Sequence, residues 1–101
     1  MRGVILPAAE RDLLDVVDYL TVHAGEDVAE DFVLRFEVAI RLLRAHPEAG
    51  AIVRVRSSRL AGLRRWPIAR FGHLIYYRSD GDSLSNLRVL HPRRDQVSEL
   101  F

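Results

Sequence analysis

The chain has 101 residues, the length of a single domain, and its hydrophobic share of 49% and charged share of 29% are ordinary for a globular protein. It has no cysteine, which excludes disulfides, thiolate metal sites and a cysteine nucleophile. No apolar run reaches the roughly 18 residues of a membrane span, and the apolar stretch near Met1 is too short for a signal peptide. We therefore expect one cytoplasmic domain covering residues 1–101.

The net charge of +1 conceals two halves of opposite sign. Residues 1–50 contain ten acids and five arginines, a balance of −5, whereas residues 51–101 contain four acids and ten arginines, a balance of +6. All fifteen basic residues are arginine, which is also what a GC-rich genome would favour. Because a guanidinium group binds carboxylate or phosphate with two hydrogen bonds, the second half is the predicted docking side for an acidic partner.

The first half of the chain predicts a short strand and two helices. The apolar run 4–6 is a predicted strand that ends at Pro7, and a helix is predicted from Ala8 to a stop signal at Gly25. Its apolar residues recur at helical spacing: Leu13, Val16, Val17 and Leu20. The second helix begins near Asp27 and ends at the turn 47–50. One apolar stripe runs along it, formed by Ala29, Phe32, Val33, Phe36, Ala39, Ile40 and Leu43.

The second half of the chain predicts strands. The candidates are residues 52–55, 63–68, 73–78 and 84–91, with an Asp80-Gly81 hairpin turn between the last two. The predicted fold is α+β with the order β-α-α-β-β-β and a short tail, in which a helical hairpin packs on a small, mostly antiparallel sheet.

No enzyme motif is present. The sequence has no glycine-rich phosphate loop, no metal-binding histidine spacing and no G-x-S-x-G elbow. Its histidines are scattered over different elements: His23, His46, His73 and His91. We therefore expect no metal, no cofactor and no small-molecule ligand.

A series of short pieces gives the chain its most specific character. In the second half they are Leu63-Arg64, Pro67-Ile68, Tyr76-Tyr77-Arg78, Arg88-Val89-Leu90-His91 and Arg94-Asp95. In the first half they are Ala9, Asp12-Leu13, Tyr19, Ala29, Phe32, Pro47 and Gly50. In this order and at this length, the combination resembles the ParE branch of the RelE/ParE toxin superfamily over nearly the whole chain.

The resemblance implies a RelE/ParE-like fold and a toxin of a type II toxin–antitoxin system. Such a toxin is held inactive in a hetero-oligomer by a cognate antitoxin, here expected to be a ParD-like ribbon-helix-helix protein. ParE-type toxins are associated with inhibition of DNA gyrase and with plasmid stabilization, whereas RelE-type toxins cut mRNA on the ribosome. A third reading is a degenerate protein that still binds antitoxin but has lost its toxicity.

The nuclease alternative needs an acid–base group and cations around a phosphate. Only His91 lies beside an arginine cluster, so its catalytic set would be His91 with Arg64 and Arg78. Arg54 and Arg56 would add charge, but arginine is too strongly protonated to serve as a base. RelE-like toxins often carry a tyrosine or histidine near the C-terminus, and this chain has neither after His91, which favours the gyrase reading.

Two binding surfaces are predicted. The apolar stripe is wider than one thin sheet needs to cover, so part of the hairpin is expected to form a groove for an amphipathic antitoxin helix and to make the isolated toxin poorly soluble. Its candidate residues are Leu13, Val17, Leu20, Phe32, Val33, Phe36, Ile40 and Leu43. The candidates for target contact are Arg64, Arg88, His91, Arg93, Arg94, Leu100 and Phe101.

Several of these residues have an alternative structural role. Arg78 and Arg88 are expected on neighbouring strands, Arg94 and Asp95 can form an ion pair, and His91 can donate to a carbonyl at the strand end. The aromatic residues are expected to pack in the core or on the sheet: Trp66, Tyr76 and Tyr77.

Overall fold

The computed structural model describes residues 1–56 and 60–94. Its elements in chain order are β1 (Arg2–Ile5), α1 (Pro7–Ala24), α2 (Glu26–Ala45), β2 (Ala51–Ile52), β3 (Arg64–Pro67), β4 (Leu74–Asp80), β5 (Ser83–Leu90) and a 3-10 turn (Pro92–Arg94). The predicted α+β fold class is confirmed. The sheet has five strands, one more than the order β-α-α-β-β-β counts, because all four strand candidates after residue 50 pair in it, the first of them only over the two residues of β2.

The five strands form one sheet in the order β1-β5-β4-β3-β2. β1 runs parallel to β5, and the other neighbours are antiparallel. A parallel neighbour cannot follow through a tight turn, so the chain between β1 and the rest of the sheet makes the helical hairpin that covers one face. The predicted Asp-Gly turn between β4 and β5 is confirmed, with Gly81 at a φ of +60°.

Gly25 joins the two helices. Its φ of +99° lies in the left-handed region that favours glycine, and its N–H donates to the Leu20 carbonyl at 2.9 Å. The stop predicted here is confirmed, and α2 begins at the next residue with Glu26 and Asp27, whose charges suit a helix N-terminus. The first helix begins at Pro7, one residue earlier than predicted, because proline fits the first turn of a helix.

The sheet separates two hydrophobic clusters. The larger one lies between the sheet and the helices and is built from residues such as Phe32, Phe36, Leu43, Ile75 and Tyr77. Because side chains alternate along a strand, Tyr76 points to the opposite face, which we call the outer face. The smaller cluster lies there and consists of Leu63, Tyr76 and Leu90 with Val53, Val55, Leu74 and Leu87 packed against it.

The segment after β2 departs from prediction. A strand was expected over 52–55, but pairing with β3 stops at Ile52. Val53 still donates its N–H to the Leu63 carbonyl at 2.9 Å, and then Val53 and Val55 pack on the outer-face cluster. The apolar alternation therefore reflects packing across the outer face rather than a longer strand.

Within residues 1–56 and 60–94, no helix combines the length and the apolar character that crossing a membrane requires.

Candidate binding surfaces

The structure divides the apolar stripe of the hairpin into core and surface. Phe32, Phe36 and Leu43 are at most 5% exposed and face the sheet, so their prediction as antitoxin contacts is corrected: these side chains are already covered. Four further candidates are half-buried along the same core: Leu13, Val17, Leu20 and Ile40. Val33, with 37% of its surface exposed, is the one candidate of this set that lies open to solvent.

A groove of about 510 Å³ runs between α1 and α2, and we call it the hairpin groove. It is lined by Val17, Thr21, Glu26, Ala29, Glu30, Val33 and Leu34. Apart from Val17 and Val33, these residues were not among the predicted contacts. The groove has an apolar floor and two carboxylates, a combination that suits apolar side chains of a partner helix flanked by basic residues.

A second apolar feature lies on the solvent side of α2. Leu34, Val38 and Leu42 are 58%, 59% and 38% exposed, and their spacing of four residues places them along one side of the helix. We call this set the α2 ridge. Sequence reasoning missed it because the core stripe accounted for the amphipathic pattern, although the repeat at 34, 38 and 42 is visible in the sequence.

Tyr77 and Arg64 hold the turn that follows α2. The buried Tyr77 hydroxyl donates to the Pro47 carbonyl at 2.8 Å and accepts the Gly50 N–H at 2.9 Å. Arg64 Nη1 donates to the carbonyls of Gly50 at 2.9 Å and Glu48 at 3.2 Å. Burial raises the pKa of Tyr77, while the Gly50 hydrogen bond and the Arg64 charge lower it. Arg64, a predicted target contact, is therefore bound to this turn.

Arg88 joins the sheet to the first helix. Its Nε donates to Asp12 Oδ2 at 2.8 Å and its Nη2 to Asp12 Oδ1 at 3.0 Å, a two-bond pair with the Arg88 side chain 25% exposed. Asp12 Oδ2 also accepts the Val89 N–H at 2.9 Å. These bonds with Asp12 raise the pKa of Arg88 further, against the effect of burial. Asp12 and Arg88, which are 76 residues apart in the sequence, therefore form one contact between α1 and β5. The expectation that Arg78 and Arg88 lie on neighbouring strands is confirmed, since β4 pairs with β5.

His91 lies just beyond β5. Its Nδ1 accepts the Arg93 N–H at 3.2 Å, so this bond differs from the predicted donation to a carbonyl. Its ring meets that of His73 edge to face, with the centroids 5.3 Å apart. Burial lowers the pKa of His73, the nearby His91 lowers it further, and a hydrogen bond with the Phe71 backbone raises it.

The predicted C-terminal contacts are only partly within the described residues. Arg93 is exposed and stands in the 3-10 turn with Arg94. Leu100 and Phe101 lie outside the described residues, as does Asp95 of the proposed Arg94–Asp95 pair.

The residues of the nuclease alternative are not brought together. Arg64 pairs opposite Tyr77 and therefore shares its helix-facing side, whereas Arg78 follows Tyr77 and lies on the outer face. His91 lies next to Leu90, whose β4 partner is Leu74, four residues and about 13 Å of strand from Arg78. In the part of the chain that the structure describes, no three histidine, aspartate or glutamate residues are grouped as for a metal ion.

The outer face carries a different set of arginines. Arg65 pairs opposite Tyr76 and shares this face with Arg78. Arg54 and Arg56 are exposed on the segment that follows β2. Arg65 was not among the predicted site residues, because its side of the sheet depends on the β3–β4 register.

Comparison with known proteins places this geometry in a family. A family model described as ParE toxin of type II toxin-antitoxin system, parDE, matches residues 4–96. The structure is similar to a chain of the chromosomal ParDE TA system from P. aeruginosa, with a TM-score of 0.74 and 21% sequence identity. The similarity covers 90% of this chain and 95% of that one. A search of curated proteins found no match. Because the family model matches nearly the whole chain, residues 4–96, the chain belongs to the ParE toxins of type II toxin–antitoxin systems.

Proposed function

We propose that this toxin acts by binding and inhibiting DNA gyrase. The match to the ParE family over residues 4–96 carries the proposal. The separation of the residues that a nuclease would use supports it, because general acid–base catalysis requires the groups to be within hydrogen-bonding reach of one substrate. Arg64 and Arg78 lie on opposite faces of the sheet, and His91 accepts a backbone hydrogen bond from Arg93.

We further propose that a ParD-like ribbon-helix-helix antitoxin neutralises the toxin in the cytoplasm. Its amphipathic segment would lie in the hairpin groove, with apolar side chains against Val17 and Val33 and basic side chains near Glu26 and Glu30. The acidic balance of residues 1–50 supports a basic partner on this side of the molecule, which leaves the basic half for the target.

The target is tested by two assays on the same purified toxin. Gyrase supercoiling should be inhibited, while mRNA on translating ribosomes should stay uncut. Specific cuts at the ribosomal A site that disappear with His91→Ala would establish the nuclease instead, since loss of an acid–base group lowers a rate about 10²–10⁴-fold. If neither activity is found and expression leaves growth unchanged, the degenerate reading holds.

The groove is tested by binding to the protein encoded beside the toxin. Val33→Asp places a charge on the floor of the groove and should weaken binding by at least about 10-fold, because a buried unpaired charge opposes docking. Val22→Asp is the control, since Val22 is 79% exposed and does not line the groove. Equal binding by both variants would place the antitoxin elsewhere.

A further inference from the structure

The α2 ridge is an apolar face that neither the sheet nor α1 covers. Leu34, Val38 and Leu42 are all more than a third exposed, and Phe36, which lies between the first two in sequence, is 5% exposed and faces the core. The ridge therefore lies on the opposite side of α2 from the packed stripe. Leu34 also reaches the hairpin groove, but Val38 and Leu42 do not line it.

The balance of charge beside the ridge changes along the helix. Its first half carries exposed acids at Asp27 and Glu30, whereas its second half carries exposed Arg41 and Arg44 together with one exposed acid, Glu37. A copy of the same helix in parallel would bring like charges together. An antiparallel copy would bring the acidic end of one helix against the basic end of the other and would also pair the helix dipoles favourably.

We infer that the α2 ridge is a self-association surface, on which a second copy of this chain packs its own α2 antiparallel about a twofold axis. Leu34 and Val38 are equally far from residue 36, so a twofold axis at that point places Leu34 of each copy against Val38 of the other. Arg41 and Asp31, each five residues from 36, then oppose one another, with Glu30 one residue further along. This surface differs from the one proposed for gyrase, but it shares Leu34 and Glu30 with the hairpin groove, so the dimer belongs to the toxin without antitoxin. The inference does not depend on the proposed gyrase target.

Glu30, rather than Asp31, is the acid that we expect to pair with Arg41 of the other copy. Asp31 is already engaged by Arg35, at 3.1 Å, and by Arg70. Glu30 is exposed and lies on the side of the helix that carries Leu34. Arg41 of each copy thus has Glu30 of the other within reach, and two such pairs would flank the four central apolar side chains.

The size of the ridge predicts a weak dimer. A helix of 20 residues is about 30 Å long, and the strip that it offers is smaller than the roughly 800 Å² per partner of a standard interface. We expect a dissociation constant on the order of 100 μM, so the dimer should form as concentration rises.

Sedimentation equilibrium of the purified full chain over a concentration series tests the inference. Arg41→Glu and Glu30→Arg should each weaken the dimer by at least about 10-fold, because each places like charges across the axis. The double variant Glu30→Arg/Arg41→Glu restores opposite charges in the swapped order and should recover the dimer to within about 3-fold. Val38→Asp should abolish it.

Arg11→Glu is the matched control: it makes the same charge change at an exposed position of α1 and should leave the dimer unchanged. Circular dichroism verifies that each variant is folded. A chain that stays monomeric at about 1 mM, or a dimer that ignores both reversals, overturns the inference. Single variants that weaken the dimer without rescue by the double variant overturn it as well, because rescue is specific to this antiparallel pairing.

Discussion

At the scale of single residues, Gly50 and Tyr77 pack closely in the turn after α2. A Cβ on Gly50 would lie 2.5 Å from the Tyr77 hydroxyl oxygen and 2.8 Å from the Arg65 carbonyl oxygen. Neither neighbour can move easily, since the hydroxyl already bonds Pro47 and Gly50 and the carbonyl belongs to β3. The turn is thus closed against any side chain at position 50.

We predict that Gly50→Ala destabilises the protein by about 1–3 kcal/mol through overpacking. Gly3→Ala is the control: its Cβ meets the flexible Arg44 side chain at 3.2 Å, which can shift, so the loss should be below about 0.5 kcal/mol. Chemical denaturation measures both. Tyr77→Phe removes the hydroxyl oxygen but keeps the ring carbon Cε1, which lies 2.7 Å from the added Cβ, and the Arg65 carbonyl, so Gly50→Ala should cost only somewhat less in the Tyr77→Phe background. Strictly additive losses would show that the ring and the carbonyl, and not the hydroxyl, exclude the side chain.

The lowered pKa of His73 predicts that the stability of the fold depends on pH. This pKa lies below the ordinary value near 6.5, chiefly through burial and also through His91. The unfolded chain therefore binds more protons than the folded one between these pKa values. The stability that this residue contributes is present in full above about pH 6.5 and is lost as the pH falls from there toward the pKa of the folded state.

His73→Phe should flatten the fall in the free energy of unfolding between pH 7.5 and pH 5, since the phenyl ring keeps the contacts with Phe32 and does not titrate. His23→Phe is the control, because His23 is exposed. Urea denaturation at several pH values gives the comparison. If His73→Phe leaves the slope unchanged, protonation of His73 does not destabilise the fold.

At the scale of elements, the Asp12–Arg88 pair connects α1 to β5. Removing one partner of such a partly buried pair leaves the other without its charge-assisted hydrogen bonds. We predict a loss of about 1.5–3 kcal/mol for Arg88→Met and at least as much for Asp12→Leu, which also gives up the Val89 bond. The double variant should lose less than the sum of the two.

The measurement for this pair is a double-mutant cycle of unfolding free energies together with gyrase inhibition by the folded fraction. Inhibition per folded molecule should be unchanged in Arg88→Met, because Arg88 holds α1 and not the target. If Arg88→Met folds normally but no longer inhibits gyrase, Arg88 contacts the target.

The elements themselves were predictable to different degrees. The helical hairpin follows from periodic apolar residues and from Gly25, both of which are local signals, and the β4–β5 hairpin follows from Asp80-Gly81. The extent of the strand after residue 50 was not predictable, because Val53 and Val55 satisfy the same alternation whether they pair in the sheet or pack on its outer face.

The binding surfaces were less predictable than the elements. Which apolar residues of α2 remain exposed depends on how much of the helix the sheet covers, and that is a property of the tertiary fold. Phe32 and Leu43 were therefore assigned to a partner although they fill the core, while Val38 and Leu42 were overlooked. Similarly, nothing near Arg64 in the sequence indicates that its guanidinium binds the carbonyls of a turn 14 residues away.

At the scale of the whole molecule, the balance of −5 before residue 51 and +6 after it divides the surface between two partners. The acidic hairpin bears the groove and the ridge. Among the described residues of the basic half, the exposed Arg70 is already engaged by Asp31, and two further places carry exposed arginines: the segment with Arg54 and Arg56, and the turn with Arg93. Arg93 is followed in sequence by Arg94 and by apolar Leu100 and Phe101. We propose that the second place is the toxic surface.

The last prediction separates those two places. Charge reversal at Arg93 and Arg94 should strongly reduce growth inhibition and gyrase inhibition. We expect the unfolding free energy to change by under about 1 kcal/mol, because Arg93 is exposed and an exposed charge adds little to stability. Antitoxin binding should change less, since the hairpin groove is on the helices.

Arg54→Glu/Arg56→Glu is the matched control, an exposed pair in the same basic half with the same change of charge. If both double variants lose toxicity equally, the overall charge of the basic half is responsible. If the Arg93/Arg94 reversal stays fully toxic, the C-terminal arginines do not contact the target, and the hairpin becomes the surface to test.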